Sequence, residues 1–147
     1  MTNDSYFSNE EFQEMLQRYE EAQQKGLAAY FDSDALADFA EYYYEEGRAN
    51  DAVDVALKGV EMFPGAMPLV FMGRYQLLKQ NNPEKAKWYL DQVNDQEEPE
   101  CIYLQAEIMI VENKQDEADS FLRQQLEWQE DDDRDNFILD VAYLYLD

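Results

Sequence analysis

The fold is decided by residues 36–64, which read LADFAEYYYEEGRANDAVDVALKGVEMFP. Large and small side chains alternate there at helical spacing, and the pattern breaks between residues 46 and 50. Small side chains let two helices approach closely, while their large neighbours fill the groove between them. The stretch therefore predicts two helices that pack as a pair. The positions that carry the pattern are Leu36, Phe39, Ala40, Tyr43, Ala52, Ala56, Gly59 and Pro64.

The same pattern returns twice in phase. Ala52, Ala86 and Ala118 are separated by 34 and 32 positions, and such a period is the signature of stacked repeats. The second unit has Arg74 where a small residue is needed, and the third unit ends without a proline. The second unit is Val70, Gly73, Arg74, Leu77, Ala86, Leu90 and Val93; the third is Ile102, Gln105, Ala106, Met109, Ala118, Leu122 and Gln125.

This arrangement resembles the tetratricopeptide repeat (TPR) family over residues 33–147, although Ala56 stands where that family usually has an aromatic residue. The resemblance implies an all-α fold, a right-handed α-α superhelix of about three helical hairpins. The hairpins would span 33–66, 67–98 and 99–131, with a partial unit at 132–147. Residues 1–32 would form a polar tail and a capping helix, because Phe12, Leu16 and Tyr19 share one face with Met15.

The sequence predicts eight helices, at about 9–25, 34–46, 50–63, 68–80, 83–94, 99–112, 115–128 and 134–146. Pro68, Pro83 and Pro99 each open an apolar-periodic stretch, as proline does at the first position of a helix. Asn82 is a candidate N-cap for the helix that begins at Pro83.

The last helix repeats the first-helix pattern but has no partner helix after it. Ile138, Val141, Ala142 and Tyr145 carry that pattern, and Ala142 follows Ala106 by 36 positions. A terminal capping helix normally has a polar outer face. We therefore expect either that the chain is the first part of a longer array or that this helix pairs with a second copy in a homodimer.

Composition argues against several classes of function. The formal net charge is −23, which repels phosphate backbones and anionic lipids, so we expect neither nucleic-acid nor membrane binding. The ordinary role of such charge is solubility. We expect a cytoplasmic protein, since no export signal or apolar span is evident and the single cysteine makes no internal disulfide.

The residue types also argue against an enzyme. The chain contains no histidine, the commonest catalytic base and metal ligand. Cys101 has carboxylate neighbours and is expected to be a half-buried structural thiol. The acidic runs at 97–98 and 131–135 lack the spacing of a calcium loop and are interpreted as solvated linkers. We therefore expect no cofactor and no metal.

The TPR resemblance implies a concave face lined by the first helix of each pair. The resulting groove would be aromatic with an acidic fringe, which suits a protein or peptide partner that is basic and has apolar anchors. Equally, an aromatic stripe at helical spacing is often packing. The binding residues would be Glu41, Tyr44, Phe71, Tyr75, Tyr103, Glu107 and Tyr143, within a wider set of Asp34, Ala37, Glu45, Pro68, Leu78, Lys79, Glu100, Ile110, Val111, Asn136, Leu139 and Leu146.

Three functions follow from the sequence. The first is a non-enzymatic interaction module that holds a peptide in this groove. The second is a structural scaffold, either as a segment of a longer repeat array or as a self-associating domain, with no peptide groove in use. The third is an acidic mimic of nucleic acid, which rests on charge alone.

Overall fold

The computed structural model describes residues 4–27, 29–128 and 131–146, and all regular structure in these ranges is helical. This confirms the all-α prediction. The helices are α1 (Asp4–Phe7), α2 (Glu10–Lys25), α3 (Ser33–Glu45), α4 (Ala49–Met62), α5 (Pro68–Leu78), α6 (Pro83–Leu90), α7 (Pro99–Val111), α8 (Gln115–Trp128) and α9 (Asp131–Leu146).

Local capping explains where the helices begin. The side chain of Asp32 accepts a hydrogen bond of 2.8 Å from the backbone N–H of Ala35 at the start of α3. Asn82 does the same for Lys85 at 3.0 Å, which confirms the predicted cap of α6. Pro68, Pro83 and Pro99 each occupy the first turn of their helix, where a missing N–H costs nothing.

The helices differ from the sequence prediction in three places. The four-residue helix α1 was not predicted. Helix α6 ends at Leu90 rather than near 94, because the Gln96 side chain donates to the carbonyls of Leu90 and Val93 and holds a turn there. The acidic run at 131–135 is not a linker but the first turns of α9. Carboxylates are favourable at a helix N-terminus, which explains this correction.

Consecutive helices pack as pairs, and the pairs stack. Helix α3 packs on α4, α5 on α6, and α7 on α8. The first helices of neighbouring pairs also touch each other, α3 with α5, α5 with α7, and α7 with α9. These four helices therefore follow one another along one side of the molecule.

Small residues set the spacing within this stack, as the sequence predicts. The six alanines Ala40, Ala52, Ala56, Ala86, Ala106 and Ala118 are all 0% exposed. In the second unit, however, the small position belongs to Gly73 and not to Arg74. A Cβ on Gly73 would lie 2.7 Å from Leu104 Cδ2, so α5 and α7 meet there. Arg74, one residue further along the helix, is only partly buried and lies 3.4 Å from Glu107 of α7.

Aromatic rings attach the N-terminal helices to the first pair. The rings of Phe12 and Tyr19 on α2 lie 5.8 and 5.2 Å from the ring of Phe39, and Phe7 on α1 lies 5.7 Å from Tyr42. Phe12, Leu16 and Tyr19 are buried and Met15 is partly buried, which confirms the predicted apolar face. At the other end, Phe137 of α9 joins a smaller core with Ile102, Ala106 and Leu122.

The contact between Gly59 and Pro68 provides a test of this packing. A Cβ on Gly59 would lie 2.6 Å from Pro68 Cγ and 2.9 Å from Pro68 Cβ, and the proline ring cannot move aside. Alanine favours a helix over glycine by about 1 kcal/mol, but overpacking costs up to about 3 kcal/mol. We expect Gly59→Ala to lower the free energy of unfolding by about 1–2 kcal/mol in urea denaturation. Glu61→Ala, at an exposed position of the same helix, should change it by less than about 0.5 kcal/mol. A Gly59→Ala variant more stable than the wild type would contradict the contact.

Candidate functional site

A cavity of about 680 Å³ lies along the first helices of the three pairs. Its walls come mainly from α3, α5 and α7, and α1 and α9 close its two ends. The lining residues are Tyr6, Phe7, Asp34, Ala37, Asp38, Glu41, Tyr44, Glu45, Met67, Val70, Phe71, Arg74, Tyr75, Leu78, Glu98, Glu100, Tyr103, Glu107, Asp140 and Leu144.

Six of the seven binding residues predicted from the sequence line this one cavity. They are Glu41, Tyr44, Phe71, Tyr75, Tyr103 and Glu107. They come from three helices that are separated in the chain by the second helix of each pair, so only the stacking brings them together. The side chain of Tyr143, the seventh, lies outside the described residues. Asp34, Ala37, Glu45, Leu78 and Glu100 of the wider set also line the cavity.

Other members of the wider set lie elsewhere. Pro68 is buried against Gly59 at the start of α5. Lys79 follows the end of α5, and Ile110 and Val111 belong to the last turn of α7, beyond the cavity wall. Leu139 is 54% exposed on α9 and is not a lining residue. The side chains of Asn136 and Leu146 lie outside the described residues. The groove is thus shorter than the resemblance implies.

The aromatic part of the cavity is a cluster of three rings. Tyr44 lies 6.3 Å from both Phe71 and Tyr75 and is nearly perpendicular to each, at 78° and 85°. Phe71 and Tyr75 are one helical turn apart on α5 and nearly parallel, with centroids 6.4 Å apart. Phe71 is only 8% exposed, whereas Tyr44 is 37% exposed. The interpretation of these aromatics as packing therefore holds for Phe71, whereas the ring of Tyr44 is partly open to solvent.

Tyr103 is engaged with α9. Its ring lies 5.7 Å from that of Phe137, and its hydroxyl donates a 2.9 Å hydrogen bond to Asp140 Oδ2. Burial and this bond raise its pKa well above the usual range. Tyr103 therefore joins α7 to α9 and closes one end of the cavity. At the other end the Tyr6 hydroxyl donates to Asp38 Oδ2 at 2.9 Å and joins α1 to α3.

The polar part of the cavity is strongly acidic. Eight carboxylates line it, those of Asp34, Asp38, Glu41, Glu45, Glu98, Glu100, Glu107 and Asp140. Among the described lining residues the only cation is Arg74. Its Nε lies 3.4 Å from Glu107 Oε1, and Glu107 is only 9% exposed. The guanidinium thus offsets a small part of the negative charge.

Burial, together with this crowding, raises the pKa of three of these carboxyls. Burial raises the pKa of the Glu41 carboxyl to about 7; Arg74 opposes the shift, while Asp38, Glu100 and Glu45 add to it. Burial also raises the pKa of Asp38 and of Glu100. Taking a carboxylate out of water disfavours its charged form, and like charges nearby act in the same direction.

Sequence reasoning missed nine of the residues that line the cavity, and four of these nine are charged. Asp38, Arg74, Glu98 and Asp140 line the cavity but were not among the predicted set. Arg74 was assigned to a small internal position, and a register one residue earlier, centred on Gly73, would have placed it on the concave face. Tyr6 and Phe7 line the cavity because of α1, whose four residues carry no periodic signal.

Cys101 is more deeply buried than the half-buried thiol that the sequence predicts. It is buried, and burial raises its pKa to about 11, with Glu98, Asp95 and Glu100 adding to the shift. Its Sγ donates a weak hydrogen bond of 3.5 Å to the carbonyl of Asp95. A thiol with such a pKa is almost wholly protonated at neutral pH and is a poor nucleophile.

Known proteins give no guide to the role of this cavity. No family model, curated protein or solved structure matches the chain at a significant level. Across the part of the chain that the structure describes, no group of three or more Cys, Asp or Glu side chains is placed to hold a metal ion. None of the helices in that part is long and apolar enough to cross a membrane.

The raised pKa of Glu41 predicts that the protein is more stable in mild acid. The folded state binds the extra proton between the unfolded pKa, near 4.5, and the folded pKa, about 7. The stabilisation is therefore present below about pH 4.5 and is lost as the pH rises through 7. We expect the free energy of unfolding to fall between pH 5 and pH 8, with about 2 kcal/mol of the change due to Glu41.

Denaturation of Glu41→Gln isolates this contribution. The variant should be about 2 kcal/mol more stable than the wild type at pH 8 and similar to it at pH 5. Glu97→Gln, a change at an exposed carboxylate outside the cavity, should follow the wild type at both pH values. If Glu41→Gln is no more stable than the wild type at pH 8, then ionisation of Glu41 does not lower the free energy of unfolding at that pH.

Proposed function

We propose that this chain is a non-enzymatic, TPR-type interaction module that holds a basic segment of another protein in the acidic aromatic cavity. The observation that carries the proposal is the meeting of Glu41, Tyr44, Tyr75 and Glu107 from three separate helices around one open space. Paired helices with small residues at their contacts, in phase along the chain, support a right-handed superhelix whose first helices line the concave side. The partner belongs on that side.

Apolar anchors account for part of the proposed affinity. Val70, Leu78 and Leu144 line the cavity together with the three-ring cluster. Tyrosine combines a large contact area with a polar tip and loses little conformational entropy on binding. A partner side chain of leucine or phenylalanine size would gain about 1.5–3 kcal/mol when fully buried there.

Charge selects the partner. Eight carboxylates and one guanidinium give the cavity wall a large excess of negative charge. Lysine or arginine would be attracted by these carboxylates and by the face of Tyr44. An acidic partner would be repelled. The acidic-mimic hypothesis rests on net charge alone, whereas this proposal rests on carboxylates that line one cavity.

A carboxyl that titrates near neutrality is also found in catalytic sites, so the enzyme alternative needs an argument. The described lining residues include no serine, threonine, cysteine or lysine, and the chain has no histidine. The shift at Glu41 follows from burial among other carboxylates, without a nucleophile beside it. The composition of the cavity supports binding and offers no base–nucleophile pair.

A peptide-display selection tests the proposal. Peptides would be selected on the wild-type chain and counter-selected on the Tyr44→Ala/Tyr75→Ala double variant. We expect binders enriched in arginine or lysine next to apolar residues. Their dissociation constants should rise at least tenfold in either single variant, which corresponds to about 1.4 kcal/mol.

Trp88→Ala is the matched control. Trp88 is an exposed aromatic residue on α6 that does not line the cavity, so its removal should leave the dissociation constants unchanged. Circular dichroism would verify that all variants are folded. Binders that tolerate both tyrosine substitutions, or that show no preference for basic residues, would contradict the proposed site.

A second candidate, self-association as a scaffold, is favoured by one observation on α9. Ala40 and Ala106 are fully covered by their partner helices, but Ala142, at the same place in the pattern, is exposed. Ile138 and Tyr145 beside it are 48% and 46% exposed. This face would take α9 of a second copy, whose equivalent alanine permits close approach.

Sedimentation separates the two candidates. Ile138 does not line the cavity, so Ile138→Asp should leave peptide binding unchanged if the cavity is the functional site. If scaffolding is the function, the wild type should sediment as a concentration-dependent dimer and Ile138→Asp as a monomer. If the wild type stays monomeric when its concentration is raised 100-fold, self-association is not its function.

A further inference from the structure

We propose that the cavity accepts an arginine or lysine side chain of its partner in exchange for a proton held among the carboxylates of α3 and α7, so that binding strengthens from pH 6 to pH 8. This inference rests on the proposed function and specifies how that site is regulated. It follows from the shape of the cavity, from the number and placement of its charges, and from the residue types that the chain lacks.

Two groups of carboxylates lie on opposite sides of helix α5. Helix α3 contributes Asp34, Asp38, Glu41 and Glu45 to the wall, and α7 with its preceding residue contributes Glu98, Glu100 and Glu107. Helix α5 lies between α3 and α7 and touches both. It carries the one cation of the described lining, Arg74. Two acidic walls therefore face a single guanidinium.

The guanidinium of Arg74 interacts with carboxylates on two helices. Arg74 Nε lies 3.4 Å from Glu107 Oε1 on α7. Its charge also acts on Glu41 and on Glu100, since it opposes the rise in the pKa of both carboxyls. Arg74 is thus shared by three carboxylates on two helices. The rise at Glu41 and Glu100 persists in spite of it, so one cation does not neutralise the cavity.

Charged groups on its own helix and on two neighbouring helices act on Glu41. Asp38 and Glu45 lie on its own helix, Arg74 on α5, and Glu100 on α7, and each of these acts on its titration. Tyr6 of α1 donates to Asp38, and Asp140 of α9 acts on Glu100. Apart from Arg74, every one of these groups is neutral or negative. Burial is the largest cause of the shift, and with these charges it raises the pKa of Glu41 to about 7.

Entry of a cation into the cavity would be coupled to release of the proton from Glu41. A guanidinium or ammonium entering beside Glu41 would favour the ionised carboxylate, as Arg74 already does, and would expel the proton to solvent. Release of one proton from a group with a pKa of about 7 makes the affinity rise about tenfold between pH 6 and pH 8. Carboxylates with ordinary pKa values of about 4 are ionised throughout that range and give no change.

The chain offers few other titrations that would imitate this effect. It contains no histidine, the side chain that normally changes charge between pH 5 and 8. Cys101 titrates far above that range, since burial raises its pKa to about 11. The side chains of arginine and lysine in the partner keep their charge across the range. The predicted pH dependence therefore has its source in the cavity carboxylates.

A metal ion is the other cation that carboxylates attract, and the structure argues for the organic one. The described part of the chain places no group of three or more metal-ligating side chains together. The carboxylates are spread along two helices, and the ring of Tyr44 is exposed next to them. A long side chain with an apolar stem and a cationic end matches this combination of surfaces.

Isothermal titration calorimetry with two matched probes tests the inference. One probe is an acetylated nine-residue peptide with two arginines and three leucines among alanines; the other has citrulline, a neutral isostere, in place of arginine. Titrations at pH 6, 7 and 8, each in two buffers of different ionisation enthalpy, give both the affinity and the number of protons released. We expect the arginine peptide to bind about tenfold more tightly at pH 8 than at pH 6, with close to one proton released at pH 6.

Two variants locate the proton. Glu41→Gln cannot ionise, so its affinity for the arginine peptide should be the same at pH 6 and pH 8. Glu97→Gln alters an exposed carboxylate outside the cavity and should keep the tenfold rise. Circular dichroism at each pH would verify that the wild type and both variants are folded.

The outcomes separate the inference from the proposed function. Tight binding of the arginine peptide that is weakened by Tyr44→Ala but is equal at pH 6 and pH 8 overturns the proton exchange and leaves the function standing. A pH dependence that persists in Glu41→Gln also overturns it as assigned. If the arginine peptide binds no better than the citrulline peptide at any pH, including no binding of either, the basic-segment function and the exchange are both wrong.

Discussion

The close approach of helices at small side chains is the constraint on which the rest of this structure depends. Ala40, Ala52 and Ala106 are fully buried; a Cβ on Gly59 would collide with the ring of Pro68, and one on Gly73 would displace the end of the Leu104 side chain. Each hairpin can then bury its apolar face on the next one. The first helices of successive pairs are drawn side by side, and the cavity is the space that their outward faces enclose.

Helix periodicity and the repeat period were visible in the sequence because they follow from local geometry. The prolines at 68, 83 and 99 mark helix starts, and the alanines at 52, 86 and 118 mark contacts. The same periodicity, combined with the map that the TPR resemblance implies, placed Tyr44, Tyr75 and Glu107 on one face before any contact was known. To predict these positions it is enough to know which side of each helix faces its neighbours.

The remainder of the site could not be predicted, since it depends on contacts between distant segments. Tyr6 meets Asp38 across 32 positions of the chain, and Tyr103 meets Asp140 across 37. The register of the second unit was missed for a related reason: Arg74 and Gly73 are neighbours, and only the approach of Leu104 shows which of them must be small. The pKa of Glu41 likewise requires the burial and the charges that three helices supply together.

The same packing that stabilises the stack also concentrates like charges, and this links stability to function. Close contact of α3, α5 and α7 places Glu41, Glu100 and Glu107 near one guanidinium in a partly dehydrated space. Repulsion among these carboxylates lowers the free energy of unfolding at neutral pH. A ligand that brings a positive charge relieves the repulsion as it binds. Under the proposed function, a basic partner would recover part of this free energy on binding, so the acidic lining would favour basic partners over acidic ones.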